Sequence, residues 1–263
     1  MNDADTGAVP AYTVVVPARH ASSRFPGKPL HPIAGRAMVL HALDRARESG
    51  AVEVVVATDD GRIRDVCAAA GADVEMTDPA HPSGTDRIAE VAERRGWADD
   101  RLIVGLQGDE PATPPAWLDR LAANLAARPE ADMATLCTPV ADESDYRDPM
   151  RVKVVRDAAG FALYFSRAPI PHRRDPDPAG GFPEAFLHVG LDAYRRGYLG
   201  RYGALRPSPA EREESLEQLR VLHHGGRLHV GEVEAGLAHG VDRPEDVAAA
   251  ERAIRALRSG AAP

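Results

Sequence analysis

The first half of the chain alternates short apolar runs with segments that have helical spacing. Met38, Ala42 and Ala46, for example, repeat at intervals that place them on one helix face. Four apolar runs have the length of buried strands: 14–16, 52–57, 72–76 and 102–106. Strands joined by helices pair in parallel through right-handed crossovers. The pattern therefore predicts an α/β fold whose ligands lie at the carboxyl ends of the strands.

The second half is less regular and predicts antiparallel additions to a sheet that is otherwise mostly parallel. Predicted strands occupy 133–140, 152–155 and 161–165, and a Pro/Gly-rich loop covers 173–183. Two further helices are predicted at 213–223 and 244–258. A chain of 263 residues fits a single domain. We expect that domain at 13–258, with a flexible segment at 1–12 and a tail at 259–263.

The net charge, the cysteines and the hydropathy of the chain argue against several classes of partner, metal site and cellular location. The formal net charge of -8 argues against a general nucleic-acid or anionic-membrane surface, because both require a large basic patch. Cys67 and Cys137 are far apart and match neither a disulfide framework nor a zinc pattern. The N-terminus lacks signal-peptide features, and no run reaches the ~20 apolar residues of a membrane span. We therefore expect a cytoplasmic protein.

A cationic loop follows the first predicted strand. Its sequence is PARHASSRFPGKPL, with Arg19, Arg24 and Lys28 close to a glycine. Guanidinium groups bind phosphate oxygens in pairs, and a lysine supplies a compact charge for a leaving pyrophosphate. Ser22 and Pro29 exclude a Walker A loop, and the chain contains no G-x-G-x-x-G motif. The loop therefore predicts a triphosphate site, with a solvated basic loop as the alternative.

Two other motifs follow predicted strands or open helices. HPSGTDR, at 81–87, offers small hydroxyls and backbone amides to an anion or a base edge, although Ser83 or Thr85 also fits a helix N-cap. QGDEP, at 107–111, places Asp109 at a strand end, where a carboxylate is a natural Mg²⁺ ligand. Asp242 is a candidate second carboxylate, but with Glu245 it also fits a capping box.

Taken together, these motifs resemble the CMP-Kdo synthetases, the 3-deoxy-manno-octulosonate cytidylyltransferase family. The resemblance extends from Val14 to about Ala256. It also includes VVVATDD, SGTDR.AEV, VKVV, ALYFSR.PIP, EQLRVL and GVD.PED. It implies a nucleotide-diphospho-sugar transferase-like three-layer α/β sandwich, Mg²⁺ as cofactor and a homodimer. The implied reaction transfers CMP from CTP to a small acidic acceptor and releases pyrophosphate.

The resemblance also implies roles for individual residues. Arg19, Lys28 and Asp109 would be catalytic, and Asp109 and Asp242 would bind the metal. Nucleotide binding is assigned to a larger set: Arg19, Arg24, Lys28, Ala57, Thr58, Ser83, Gly84, Thr85, Arg87 and Gln107. Acceptor binding is assigned to Gln107, Arg167, His188, Asp192, Glu217 and Gln218. From the residues alone, Arg167 equally suits a surface ion pair and His188 a core histidine.

The chain departs from the family pattern mainly in its acceptor half. Asp192 stands where the family has an acceptor-facing tyrosine, and Ala193 replaces the following glycine. Met150 replaces a common asparagine and Arg243 a threonine. A carboxylate at 192 would repel an acidic acceptor unless a cation such as Arg243 neutralised it. The alternative is that Asp192 turns outward.

Three functions are compatible with these residues. The first is cytidylylation of Kdo. Because Asp192 replaces the acceptor-facing tyrosine, we expect activity toward Kdo to be weaker than is typical of the family. The second is cytidylylation of a phosphonate such as phosphonoformate, favoured by the additional cation Arg243. The third is nucleotide binding without turnover, which the retention of both candidate metal carboxylates argues against.

Overall fold

The computed structural model describes residues 9–21, 25–175, 182–234 and 240–259. The strands are β1 Tyr12–Ala18, β2 Pro32–Ile33, β3 Arg36–Ala37, β4 Glu53–Thr58, β5 Asp73–Met76, β6 Leu102–Gly105, β7 Met133–Pro139, β8 Lys153–Arg156, β9 Ala162–Ser166, β10 Phe186–Arg195 and β11 Leu228–Glu232. The α-helices are α1 Met38–Glu48, α2 Gly61–Ala69, α3 Gly84–Arg94, α4 Pro115–Ala126, α5 Glu143–Arg147, α6 Arg196–Tyr202, α7 Pro209–Glu214, α8 Gln218–His223 and α9 Val247–Ser259. Lys28–Leu30 and Pro244–Asp246 form 3₁₀ turns.

One mixed sheet organises the described chain. Its main order is β11-β7-β10-β6-β1-β4-β5, with β8 on β10 and β9 on β8. The pairs β6-β1, β1-β4, β4-β5 and β11-β7 are parallel. β10 runs antiparallel to both β6 and β7, and β8 and β9 add antiparallel pairs. The predicted sheet, mostly parallel with antiparallel additions in the second half, is confirmed.

Helices cover both faces of this sheet and produce the predicted three layers. Helices α1, α2 and α4 pack on one face through residues such as Val39, Ile63 and Leu118. Helices α3 and α6 pack on the other through residues such as Ile88 and Tyr198. Strands buried on both faces are nearly continuous in apolar residues, which is why runs such as 14–16 were recognisable.

The second half differs from the prediction in one helix. The predicted helix 213–223 is wrong: α7 ends at Glu214 and α8 begins at Gln218. Ser215 breaks the helix because its φ of 53° lies in the left-handed region. The break places Glu217 at the start of α8, where its side chain faces the sheet end that carries the cleft described below.

The two ends of the described chain lie close to the predicted boundaries. Tyr12, assigned to the flexible segment, is fully buried and begins β1. Residues 1–8 and 260–263 lie outside the described part, so the domain boundaries stay a prediction. Within the described residues, no helix combines the length and the apolar character that a bilayer crossing requires.

Candidate active site

A cleft of about 240 Å³ opens at the carboxyl ends of β1 and β6. These strands are neighbours, so the loops that follow them meet. Gly108 N–H donates to the carbonyl of Pro17 at 3.0 Å, and Val241 N–H donates to that of Asp109 at 2.9 Å. Predicted site residues that line the cleft are Arg19, Lys28, Ser83, Gly84, Arg87, Gln107, Asp109, Glu217 and Asp242. Sequence-distant motifs thus converge on one cavity.

The cationic loop contributes two side chains to this cleft. Arg19 is exposed, and its guanidinium donates to the Pro82 carbonyl at 3.4 Å. Lys28 is 7% exposed and begins the 3₁₀ turn that follows Gly27, whose φ of 73° suits glycine. Arg24, the third predicted cation, lies outside the described residues.

Lys28 joins the two predicted metal carboxylates. Its ammonium contacts Asp109 Oδ2 directly and lies 3.5 Å from Asp242 Oδ1. The described chain contains no cluster of three or more His, Cys, Asp or Glu side chains suited to a metal ion. Mg²⁺ commonly takes only one or two protein carboxylates together with waters and substrate phosphates. Two carboxylates that already converge on one cation therefore suit Mg²⁺ bound with a nucleotide.

The hydrogen bonds of the 3₁₀ turn Pro244–Asp246 show whether Asp242 acts as a helix cap. Asp246 accepts both backbone N–H groups, from Asp242 at 2.9 Å and from Arg243 at 2.8 Å. Asp246, rather than Glu245, is therefore the acidic partner that caps this turn. The Asp242 carboxylate instead faces Lys28 in the cleft.

Glu110 also belongs to this region, although no sequence motif predicts a role for it. Its carboxylate accepts a hydrogen bond from the Gly240 backbone, and burial beside Asp109 and Asp242 raises its pKa to about 8. A Cβ atom at Gly240 would lie 2.8 Å from the carboxyl carbon of Glu110. The QGDEP motif therefore holds the segment that carries Asp242 as well as supplying Asp109.

The N-terminus of α3 forms another wall of the cleft. Ser83 caps this helix, because its side chain accepts from the Asp86 N–H at 3.1 Å. A Cβ atom at Gly84 would lie 2.8 Å from Gln107 Nε2, so only glycine leaves the Gln107 side chain in place. The N-cap role predicted as an alternative for Ser83 is confirmed, and Ser83 also lines the cleft.

Three predicted nucleotide residues are enclosed by the fold. Ala57 and Thr58 are fully buried at the end of β4 and do not line the cleft. Arg87 lines the cleft but is only 2% exposed. Its guanidinium donates to Asp59 at 3.0 Å and also contacts Thr77. Arg87 thereby braces β4 and the following loop against α3.

A hydrogen-bonded row links α3, β10 and the start of α8. The Thr85 hydroxyl donates to Glu217 Oε2 at 2.7 Å and lies 3.0 Å from the Tyr194 hydroxyl. Burial raises the pKa of the Glu217 carboxyl. Thr85 is buried behind the cleft, so it positions Glu217 rather than lining the cavity.

His188 and Asp192 lie on β10, on either side of a break in its pairing with β7. His188 Nε2 is 2.8 Å from Thr135 Oγ1, whose hydroxyl donates to the Leu191 carbonyl at 2.7 Å. Burial lowers the pKa of His188 to about 4, so the ring is neutral. The neutral imidazole is hydrogen-bonded to Thr135 within the sheet, and the acceptor role of His188 stays a prediction.

Asp192 does not turn outward. Its side chain is only 17% exposed, with Oδ1 4.0 Å from His188 Nε2 and Oδ2 accepting from Gln218 Nε2 at 3.4 Å. Burial, followed by repulsion from Glu217, raises its pKa to about 7. Arg243 is exposed and does not line the cleft, and no ion pair joins it to Asp192 within the described residues. The expectation that Asp192 would need this cation is not met.

Arg167 lies apart from the cleft lining. Its guanidinium donates to the carbonyls of Glu214 at 2.7 Å and Pro149 at 3.1 Å. Lys153, from the VKVV motif, is fully buried and donates to three carbonyls, including that of Arg167 at 2.8 Å. These contacts fix the turn that exposes Met150, and the acceptor role of Arg167 stays a prediction.

We expect Asp192→Asn to stabilise the protein at pH 8. A carboxyl whose pKa rises from 3.8 to about 7 on folding destabilises the native state progressively as pH increases through that interval. The full cost is about 4 kcal/mol, and weaker hydrogen bonds from Thr135 and Gln218 to a neutral amide offset roughly 1 to 2, leaving a gain of about 2 kcal/mol. Urea unfolding at pH 8 and at pH 4 measures this gain, which should shrink toward acid.

Asp99→Asn is the matched control, because the Asp99 side chain is 78% exposed and pairs with Arg196 at the surface. It should change the unfolding free energy by less than ~0.5 kcal/mol at either pH. Equal effects of the two substitutions would show that burial of Asp192 does not destabilise the fold.

The chain is similar to known proteins in both sequence and structure. Residues 13–229 match the family model described as "Cytidylyltransferase". The chain is 49% identical over 247 residues to a 3-deoxy-manno-octulosonate cytidylyltransferase of Idiomarina loihiensis, covering 92% of this chain and 98% of that protein. It is 48% identical over 259 residues to the protein of the same name from Halorhodospira halophila, covering 95% and 100%.

Solved structures agree with the sequence relatives. A CMP:2-keto-3-deoxy-manno-octonic acid synthetase complexed with CTP superimposes with a TM-score of 0.84 and 40% identity, covering 95% of this chain and 99% of that one. A putative glucose-1-phosphate thymidylyltransferase from Bacillus anthracis, 15% identical with a TM-score of 0.64 over 93% and 96% of the two chains, shares the fold. By its sequence, its sheet and its cleft, the chain belongs to the cytidylyltransferase family, among the 3-deoxy-manno-octulosonate cytidylyltransferases.

Proposed function

We propose that this protein transfers CMP from CTP to 3-deoxy-manno-octulosonate (Kdo), with Mg²⁺ as cofactor and pyrophosphate as the second product. The observation that supports this most directly is the joint position of Lys28, Asp109 and Asp242 in one cleft. The names of the relatives and the CTP complex of the similar structure support the nucleotide and the acceptor.

The chemistry follows from the charges of the cleft. An acceptor hydroxyl oxygen forms a bond to the α-phosphorus of CTP, the bond from that phosphorus to the β-phosphate bridging oxygen breaks, and the hydroxyl proton is released. Bound Mg²⁺ would supply charge neutralisation on the phosphates. Arg19 and Lys28 line the cleft and would stabilise the negative charge that accumulates on the pyrophosphate. Asp109 and Asp242 would hold the metal, and no covalent enzyme intermediate is required.

The geometry gives less support to the other two functions. A phosphonate acceptor was suggested by Arg243, but this residue is exposed outside the cleft lining. Binding without turnover would leave no reason for two carboxylates to face one lysine in the cleft. An assay of pyrophosphate release with CTP, Mg²⁺ and a panel of Kdo, other ulosonic acids and phosphonoformate tests the proposal. Release with phosphonoformate but not with Kdo would contradict it.

We expect CTP to be preferred over other nucleoside triphosphates. The predicted base site lies at the start of α3, where Ser83, Gly84 and Gln107 are closely packed. Small donor and acceptor groups around a base edge exclude purines by size and distinguish the amino group of cytosine from the oxygen of uracil. Pyrophosphate release at equal concentrations of CTP, UTP, ATP and GTP measures the preference. Comparable release from ATP or GTP would contradict the assignment of this wall to cytidine.

We also propose a homodimer and a cytoplasmic location. Strand β9 exposes two large apolar side chains, Leu163 at 60% and Tyr164 at 40%, and the turn before β8 exposes Met150. Exposed apolar groups of this kind suit an interface between copies of the chain. Cys67 and Cys137 are buried free thiols, which suits a reducing compartment. Sedimentation equilibrium of the purified protein tests the oligomeric state.

A further inference from the structure

The two candidate metal carboxylates belong to segments that are far apart in the chain. Asp109 lies in the QGDEP motif after β6, whereas Asp242 precedes the turn that leads into α9. Lys28 pairs with both, but its side chain has a long flexible stem, so this contact alone does not fix the backbone of either segment. Mg²⁺ demands nearly ideal octahedral geometry. The two segments must therefore be held together by other contacts.

Two backbone contacts join the segments, and both end on the QGDEP motif. Val241 N–H donates to the Asp109 carbonyl at 2.9 Å, and the Gly240 backbone donates to the Glu110 carboxylate. Gly240 and Val241 are the two residues that come directly before Asp242. Glu110 is half-buried and stands outside the cleft lining. Its carboxylate is therefore engaged by the backbone of the second segment rather than directed at the nucleotide.

The glycine at position 240 is explained by this contact and not by its own conformation. Its φ lies outside the left-handed region, so the backbone itself would accept other residues. A Cβ atom at this position would lie 2.8 Å from the carboxyl carbon of Glu110 and 3.3 Å from the carbonyl oxygen of Asp109. The absence of a side chain at Gly240 thus permits the close approach of the two segments.

We propose that Glu110 is a positioning residue that holds the segment carrying Asp242 against the QGDEP motif, so that both metal carboxylates are in place before Mg²⁺ and CTP bind. Apparent affinity falls in proportion to the fraction of the protein that has the competent arrangement. A segment that detaches from Glu110 would therefore weaken Mg²⁺ binding without removing a ligand. This inference rests on the proposed function, because it concerns the Mg²⁺ that the transferase is proposed to use.

The test compares Glu110→Ala with Glu110→Gln. Alanine removes the acceptor of the Gly240 N–H, whereas glutamine keeps a carbonyl oxygen but carries no charge. We expect the Mg²⁺ concentration that gives half of its effect on CTP binding, measured by calorimetry, to rise about tenfold in Glu110→Ala and less than about threefold in Glu110→Gln. CTP binding without Mg²⁺ should stay within about threefold of wild type in both variants, because Arg19 and Lys28 belong to another loop.

Glu245→Ala is the matched control. It removes a carboxylate from the turn that follows Asp242, but Glu245 is exposed. The Mg²⁺ dependence of CTP binding should therefore be the same as in the wild type.

Amide hydrogen exchange, followed by NMR, gives a readout that needs neither metal nor turnover. In the protein without ligands, the N–H groups of Gly240 and Val241 should exchange about tenfold faster in Glu110→Ala and close to the wild-type rate in Glu110→Gln. The N–H groups of the next two residues should not change, because Asp246 accepts both within the turn. A general loss of stability would instead accelerate exchange in the buried strands as well.

Gly240→Ala disrupts the same contact from the other side. Its methyl group would meet the Glu110 carboxylate, so this variant should reproduce the weaker Mg²⁺ binding of Glu110→Ala. Combining the two substitutions should cost little beyond the larger single effect, because both remove one contact. Additive losses would mean that the two residues act separately, which overturns the proposal.

The remaining outcomes separate this proposal from the proposed function. A wild-type protein whose CTP binding and turnover do not respond to Mg²⁺ overturns the cofactor, and the role of Glu110 with it. A normal wild-type response that is unchanged in Glu110→Ala overturns the role of Glu110 alone. Equal losses in Glu110→Ala and Glu110→Gln also overturn it, because Glu110 would then act through its charge rather than through the hydrogen bond from Gly240.

Discussion

Asp109→Asn and Asp242→Asn should each lower kcat/KM by at least about a thousandfold, a loss of roughly 4 kcal/mol of transition-state stabilisation. Each substitution removes a carboxylate that faces Lys28 and is assigned to the metal. Phosphate charge would then be neutralised incompletely while the α-phosphorus is attacked. Pyrophosphate release measures turnover. Calorimetry of CTP binding with and without Mg²⁺ should show that the contribution of the metal is lost.

Asp246→Asn is the matched control for Asp242→Asn. It removes one negative charge from the same turn, but its carboxylate accepts the N–H groups of Asp242 and Arg243 instead of facing the cleft. We expect it to cost about 1 kcal/mol of unfolding free energy, as for loss of a helix cap, with turnover within a few-fold of wild type. Near-normal activity of the Asp242→Asn variant would exclude Asp242 as a metal ligand.

The phosphate half of the site could be predicted because its residues follow recognisable strands. Arg19 comes directly after β1 and Asp109 after β6, and parallel neighbours bring their carboxyl ends to one edge. Asp242 was ambiguous, because Asp followed by Glu three positions later is also a capping pattern. Only the hydrogen bonds show that Asp246 takes the capping role and leaves Asp242 to the cleft.

The acceptor half was harder to predict because its structure depends on distant contacts. Strand β10 was not predicted: it is long, interrupted in its pairing and carries polar residues such as His188 and Asp192 within the sheet. The break at Ser215 has no glycine or proline to mark it. The contact between Asp192 and Gln218 joins separate elements, so no local pattern indicates it.

The largest effect on stability is expected from Arg220→Ala. Arg220 and Glu211 are 6% and 8% exposed, and the guanidinium donates to both carboxylate oxygens at 2.5–3.1 Å. Glu211 also accepts the Ser208 N–H at 3.1 Å in the capping box that begins α7. Removing the arginine leaves a buried carboxylate without its cation, which costs about 3–5 kcal/mol. Differential scanning calorimetry should show Tm lower by roughly 10 °C.

Arg212→Ala is the control, because Arg212 lies exposed on the same helix as Glu211, and we expect its effect to stay within about 0.5 kcal/mol. A loss in Arg220→Ala no larger than that would mean that the buried pair contributes no net stability.

Arg220 also lies two residues after Gln218, with its guanidinium 4.7 Å from the Tyr202 ring centre. Its removal should therefore loosen the start of α8 and raise KM for the acceptor more than KM for CTP, since the phosphate-binding side chains belong to other elements.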